Sequence, residues 1–290
     1  MDINRKHVVI TGATAGIGRC SALTLAALGA DLTLLSRNPA KAQTLAEEIV
    51  GAGGKRPTLI TMDMAELRSV REAARQCLEL HKPVHILLNN AGVVNTRRRE
   101  TVDGFEETLA VNHFAPFLLT GLLLPKLLET PGARIVNVAS DAHSFVKDMG
   151  FDDIQAKHSY KTFREYGRSK LANILFTRSL AHRLAGQPIT VNCLHPGAVA
   201  TSLGSQNEGF LAKWLPTLLK PFFRSPGKGA ETSIYLCQSD VVEQTSGAYF
   251  VNCKQATPKP WARDEKAAER LWSLTEQCVN FSYPDQRANQ

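Results

Sequence analysis

Tyr166 and Lys170 lie four residues apart in the segment Tyr166-Gly-Arg-Ser-Lys170, far downstream of a glycine-rich turn that begins at Thr11-Gly12. On a helix, residues at i and i+4 share one face, so the phenol and the ammonium can enter the same pocket. A free tyrosine titrates near ~10, and a fixed cation beside it favours the phenolate and brings the group into range for proton transfer at neutral pH. Tyr166 is the only one of the five tyrosines with a lysine at that offset. The pair suits proton transfer to and from a carbonyl oxygen, with a nucleotide cofactor handling the hydride. The spacing alone is not specific, so its meaning depends on the elements that carry it.

Those elements alternate. Short β-branched runs at 7–11, 31–35, 58–61, 84–89, 134–139, 189–194 and 248–251 read as strands. Segments of helical period at 16–28, 39–52, 65–81, 105–129, 164–185, 227–238 and 263–278 read as helices. This order predicts an α/β protein: a single doubly wound Rossmann domain over 1–290, with a seven-stranded parallel sheet and helices on both faces. Ligands of such sheets bind at the carboxyl ends of the strands.

The glycine-rich turn Thr11-Gly12-Ala13-Thr14-Ala15-Gly16-Ile17-Gly18 follows the first strand and opens the first helix. Glycines let the backbone approach a pyrophosphate, and the helix N-terminus offers free N–H donors to its charge. At the end of the second strand stands Ser36-Arg37-Asn38, with no carboxylate. An acid there would bond the adenosine ribose and repel a 2′-phosphate, whereas Arg37 can hold that phosphate with two parallel bonds. The sequence therefore points to NADP(H) rather than NAD(H), with Arg19 as an additional cation.

Composition narrows the remaining classes. Lys and Arg outnumber Asp and Glu by 34 to 27, for a net charge of +7. The only basic run, Arg97-Arg98-Arg99, reads as a solvated loop, and no nucleic-acid motif accompanies it. The six cysteines show no C-x-x-C spacing, and Pro83 between His81 and His85 argues against a helical metal pair, so neither disulfide nor metal is expected. The first apolar run starts almost at once, and no uninterrupted apolar stretch reads as a bilayer span. The expectation is a cytoplasmic protein without a transmembrane segment.

With these motifs in order, the chain resembles the short-chain dehydrogenase/reductase family over essentially its whole length. Thr11–Gly18 is similar to that family's glycine motif, Asp63 (followed by Met64) to its adenine contact, and Asn89-Asn90-Ala91-Gly92 to the motif after the fourth strand. Asn112, Ser140, Tyr166 and Lys170 resemble its catalytic set. Pro196-Gly197, with Val199 and Thr201 beyond, resembles the turn that holds the nicotinamide carboxamide. Ser169-Lys-Leu-Ala-Asn-Ile-Leu-Phe-Thr177, His195-Pro-Gly197 and the tail from Gly247 to Trp272 look most like the retinol-dehydrogenase branch, which includes relatives of the WW-domain oxidoreductases. Many of that branch carry an N-terminal membrane anchor.

The resemblance implies that Tyr166 is general acid and base, Lys170 lowers the phenol pKa and holds the nicotinamide ribose, and Ser140 polarises the carbonyl. Asn112 is expected to anchor a water that relays protons through Lys170. Ser140 lies 26 residues before Tyr166, about twice the family's usual separation. Residues 141–163 therefore read as an inserted loop, with Phe145, Met149, Phe151, Tyr160 and Phe163 able either to pack it or to touch substrate. Ser144 is a rival for the serine role. A lid over 203–226 is rich in apolar residues and suggests a bulky hydrophobic aldehyde, ketone or alcohol, with carbonyl reduction the favoured direction. The same stretch, 209–224, could also dock on a membrane surface. A non-catalytic nucleotide-binding regulator and a light-driven reductase of the protochlorophyllide type are the alternatives. Oligomeric state is open between monomer and homodimer: family members often pair through the helices near 105–129 and 164–185, but the branch includes monomers, and the 141–163 loop and the 278–290 tail could cap other surfaces.

Overall fold

The computed structural model describes residues 1–197 and 225–284. Valines, isoleucines and leucines in short runs make β1 (His7–Thr11), β2 (Asp31–Ser36), β3 (Thr58–Thr61), β4 (Ile86–Asn89), β5 (Ala133–Val138), β6 (Ile189–His195) and β7 (Tyr249–Val251). All seven pair in parallel, and an eighth strand, β8 (Lys254–Ala256), closes the order β3-β2-β1-β4-β5-β6-β7-β8. The sequence reading stopped at seven strands. β8 runs antiparallel to β7 after a tight turn in which Asn252 and Cys253 both take positive φ, 53° and 59°. Its three residues, Lys254, Gln255 and Ala256, are a short edge strand with no apolar alternation to betray it.

The described helices are α1 (Gly16–Ala27), α2 (Pro39–Gly51), α3 (Leu67–Glu79), α4 (Glu107–Leu128), α5 (Thr162–Arg183), α6 (Pro226–Gln238) and α7 (Glu265–Val279). Alternation along the strands sorts them. Val8, Ile10, Leu32, Leu34 and Leu88 meet Leu25, Leu45, Ile49 and Leu236 of α1, α2 and α6 on one face. Val9, Leu87, Ile135 and Val191 meet Val70, Leu118, Leu175 and Leu271 of α3, α4, α5 and α7 on the other. Crossovers must lie on both faces of such a sheet, and strand order reverses between β1 and β4, which opens the crevice there.

α4 bears on the expected absence of a transmembrane segment. It is long and apolar enough by composition to cross a bilayer, but 89% of that stretch is buried inside the protein. Asn112, His113 and Thr120 interrupt its apolar run, which is why no uninterrupted span was visible in sequence. Its outer side is covered by the chain itself. The Tyr283 hydroxyl donates to the Phe117 carbonyl at 2.7 Å, its ring lies 4.8 Å from that of Phe117, and Arg71 holds the Val279 carbonyl at 2.6 Å. Gly121 lacks a Cβ where Phe281 and Tyr283 press against α4. α7 packs on α5, with the Arg183 guanidinium 4.0 Å from the Trp272 ring.

The insertion folds as two short turns, Asp141–Phe145 and Phe151–Asp153, before α5 begins at Thr162. Its side chains divide. Met149 is buried, Tyr160 donates to the Asn95 carbonyl at 3.0 Å, and the Arg270 guanidinium lies 4.4 Å from the Phe151 ring. Phe145 and Phe163 remain 60% and 70% exposed, edge-to-face at 6.2 Å.

Candidate active site

A cleft of about 350 Å³ lies at the carboxyl ends of the strands. Gly12, Thr14, Ala15, Gly16, Ile17 and Gly18 form one wall; Arg37, Asn38, Asp63 and Met64 one end; Asn90, Ala91, Gly92, Tyr166, Lys170 and Pro196 the other. Gly197, at positive φ of 88°, ends the described segment beside Pro196, while Val199, Thr201 and the expected 209–224 membrane contact lie outside the described residues, as does nearly all of the 203–226 lid.

The glycine turn is locked from below. Asn90 donates its side-chain amide to the carbonyls of Thr11 and Gly12 at 2.9 and 3.1 Å, and the Thr11 hydroxyl accepts the N–H groups of Asn90 and Ala91, both at 3.0 Å. A Cβ on Gly12 would meet Ala91 Cα at 2.8 Å, and one on Gly18 would overlap the Gly12 carbonyl and the Asn90 amide. α1 has no side-chain N-cap and no acid in its first turn, which leaves its first N–H groups for an anion, as a dinucleotide pyrophosphate requires. The residues therefore fit such a group.

At the other end the sequence reading missed Lys41. It lines the cleft with Arg37, brought there because Asn38 caps α2 by accepting the Lys41 N–H at 3.0 Å. A lysine three residues after a helix cap was the available signal. Arg19, by contrast, is absent from the cleft wall and pairs with Glu48 at 2.5 Å.

Ser140 and Tyr166 converge. The Ser140 side chain stands near enough to the Tyr166 phenol to lower its pKa, and its oxygen accepts the Ala142 N–H at 3.1 Å. Ser144 instead donates to the Asp141 carbonyl at 2.6 Å and is partly exposed, so geometry assigns the phenol's partner to Ser140. Lys170 is buried, its Nζ donating to the Val138 carbonyl at 3.0 Å and lying 5.6 Å from the centre of the Tyr166 ring. The expected acidification of the phenol does not hold in the protein alone. Burial pushes Tyr166 up to about 12, opposed only by the Ser140 side chain, and burial brings Lys170 down to about 8. With its charge over the ring and engaged by a carbonyl, the lysine does not outweigh desolvation.

Asn112 sits in a π-helical turn, Ala110–Phe114, a local widening frequent at functional sites. Its amide accepts the Val93 N–H at 2.7 Å and donates to the Val93 carbonyl and to Ser169, both at 2.9 Å. Gly92 keeps the space beside it open: a Cβ there would stand 3.3 Å from Asn112 Oδ1 and 3.4 Å from Lys170 Nζ. A methyl at Gly92 would therefore crowd Asn112 and Lys170 directly. Among the described residues no group of three His, Cys, Asp or Glu side chains is placed to hold a metal.

Residues 6–209 match the family described as short chain dehydrogenase. The chain belongs to that family. It is 42% identical to mouse (Mus musculus) retinol dehydrogenase 14, with 95% of this chain and 86% of that protein aligned, and 41% identical to human (Homo sapiens) retinol dehydrogenase 12, over 93% and 85%. These relatives put it on the retinol-dehydrogenase branch. A crystal structure of a protein from Mycobacterium paratuberculosis superposes with a TM-score of 0.78 at 28% identity, covering 98% of this chain and 96% of that one. A dehydrogenase/reductase from Sinorhizobium meliloti 1021 gives 0.67 at 28%, over 86% and 94%.

Proposed function

We propose that this short-chain dehydrogenase is an NADP(H)-dependent oxidoreductase that interconverts a bulky hydrophobic aldehyde or ketone and its alcohol, of retinoid, steroid-like or long-chain type, and works chiefly as a carbonyl reductase. The observation that carries this reading is the convergence of Ser140 on the Tyr166 phenol beside buried Lys170, at the wall of a cleft that the glycine turn also lines. Names of the 38–42% identical relatives, all retinol dehydrogenases, support the substrate class.

The glycine turn and the N-terminus of α1 would hold the pyrophosphate, Arg37 and Lys41 the 2′-phosphate, Asp63 and Met64 the adenine, and Lys170 the nicotinamide ribose. When bound, the cofactor supplies the hydride. The substrate oxygen is received between the hydroxyls of Ser140 and Tyr166. Ser140 polarises the carbonyl and Tyr166 donates its proton to the developing alkoxide. A phenol held up near 12 carries that proton throughout the neutral range, which favours reduction. Proton replacement runs through the open space between Asn112 and Lys170.

Reduction should thus be flat through neutral pH and fall above about 8 as Lys170 loses the charge that stabilises the phenolate formed on proton donation. Alcohol oxidation, which needs the phenolate, should rise with pH. Initial rates in both directions across the alkaline range check this. The direct test of function is loss of NADPH absorbance with all-trans-retinal, long aliphatic aldehydes, aromatic aldehydes and steroid ketones, with NADH in parallel. Tight NADPH binding without turnover of any of them would move the balance to a regulatory nucleotide-binding role. Tail contacts over α4 and α7 over α5 support a monomer, and light scattering of the purified protein reads it.

A further inference from the structure

The peptide unit joining Ser140 to Asp141 is gripped at both ends by imidazole. His143 Nδ1 lies 2.8 Å from the Ser140 carbonyl oxygen, and the Asp141 N–H donates to His195 Nδ1 at 3.0 Å. The two histidines come from different places: His143 from the turn after β5, His195 from the last position of β6. Partner chemistry assigns the tautomers. A carbonyl can only accept, so His143 carries its proton on Nδ1, and its Nε2 accepts the Lys259 N–H at 3.2 Å. An amide N–H can only donate, so His195 presents a bare Nδ1.

We infer that His143 and His195 are a pair of positioning residues that fix the Ser140 main chain, and through it the Ser140 hydroxyl against Tyr166, by bonding opposite ends of one peptide. Ser140 Oγ accepts the N–H of Ala142, two residues on. Loss of either grip frees the Ser140–Asp141 main-chain torsions, and with them the geometry that keeps the Ala142 N–H on the Ser140 hydroxyl. The clamp also ties the site to the segment after β8, since the Trp261 indole donates to the His143 carbonyl at 2.9 Å.

The His195 grip needs neutral imidazole, whereas the His143 grip is an Nδ1–H on the Ser140 carbonyl that a second ring proton leaves in place. A proton on His195 Nδ1 would face the Asp141 N–H, and one on His143 Nε2 would face the Lys259 N–H. The groups around His143 are the Asp141 carboxylate, the Lys259 ammonium and the Tyr249 ring, whose edge packs at 5.4 Å. Burial holds His143 below the usual imidazole range, against the upward pull of the Ser140 carbonyl and Asp141 and with the downward push of Lys259. The His143 ring therefore stays neutral at physiological pH, and its Nε2 keeps the Lys259 N–H.

The inference rests on the reading of Ser140 as the group that polarises the carbonyl, and the experiment separates the two. Because His143 is 2% exposed, the more accessible His195 leads the test. His195→Leu should lower kcat per NADPH-binding site by roughly tenfold or more while NADPH affinity is kept, as displacement of a catalytic group does. His195→Asn, whose amide oxygen can accept the same N–H, should recover most of that loss. Unchanged kcat in both His143→Leu and His195→Leu, or equal loss in His195→Leu and His195→Asn, would overturn the clamp. If Ser140→Ala itself retains full turnover, the reading of the serine fails rather than the clamp alone.

Discussion

Tyr166→Phe should abolish nearly all turnover, by roughly 10²–10⁴-fold as the loss of a positioned general acid does, while NADPH binding stays close to wild type. Ser140 stands beside the phenol but is itself a poor acid, and Lys170 is directed at the Val138 carbonyl, so no neighbour is placed to take over the proton. Removing one oxygen leaves the ring, and with it the packing of α5, in place. Ser140→Ala should fall by roughly 10²–10³-fold, the range for a donor at a developing oxyanion. Ser144→Ala should change little, because that hydroxyl is engaged on Asp141. Stopped-flow turnover and fluorescence titration with NADPH, run on the same preparations, separate chemistry from binding. A Tyr166→Phe protein with wild-type turnover would remove the acid–base mechanism; one without turnover but with intact NADPH binding would exclude the regulatory alternative only where the wild type is active.

Much of this architecture was legible because its signals are local. A strand of β-branched residues followed by a glycine turn and a helix announces β1, the loop and α1 within twenty or so residues, and the described strands begin and end within a few positions of the sequence reading. The site was legible for the same reason: Tyr166 and Lys170 share a helix face, and Asn112, Ser140 and the Asn89–Gly92 stretch each end or interrupt an apolar run. What escaped is what depends on tertiary environment. Burial, which no spacing encodes, raises the phenol that Lys170 was expected to acidify. Lys41 lines the cleft from the first turn of α2, whose cap at Asn38 accepts its N–H. Arg19 leaves the cleft wall for a carboxylate on another helix, Glu48. β8 is held by pairing with β7 rather than by any pattern of its own.

Cofactor choice is where one of these missed residues should have its largest consequence. Arg37 and Lys41 both line the end of the cleft beyond β2, where no carboxylate stands among Leu35, Ser36, Arg37 and Asn38. A hydrogen bond to a charged group contributes about 1.5–3 kcal/mol, or roughly ten- to 150-fold per contact. Arg37→Asp removes one such contact and adds a carboxylate where the 2′-phosphate would sit, so the ratio of kcat/KM with NADPH to that with NADH should drop by about 10²-fold or more. Lys41→Ala removes a cation without adding repulsion and should shift the ratio about tenfold. The paired variant should move the enzyme to NADH, with kcat on the preferred cofactor largely kept, because neither side chain lies near Tyr166. An Arg37→Asp protein that still prefers NADPH as strongly as wild type would place the 2′-phosphate elsewhere and return the choice between NADP(H) and NAD(H) to Lys41 alone. Loss with both cofactors alike would instead show that Arg37 supports the fold of the β2–α2 corner rather than selecting a phosphate, a result that the thermal midpoint of the variant would register independently.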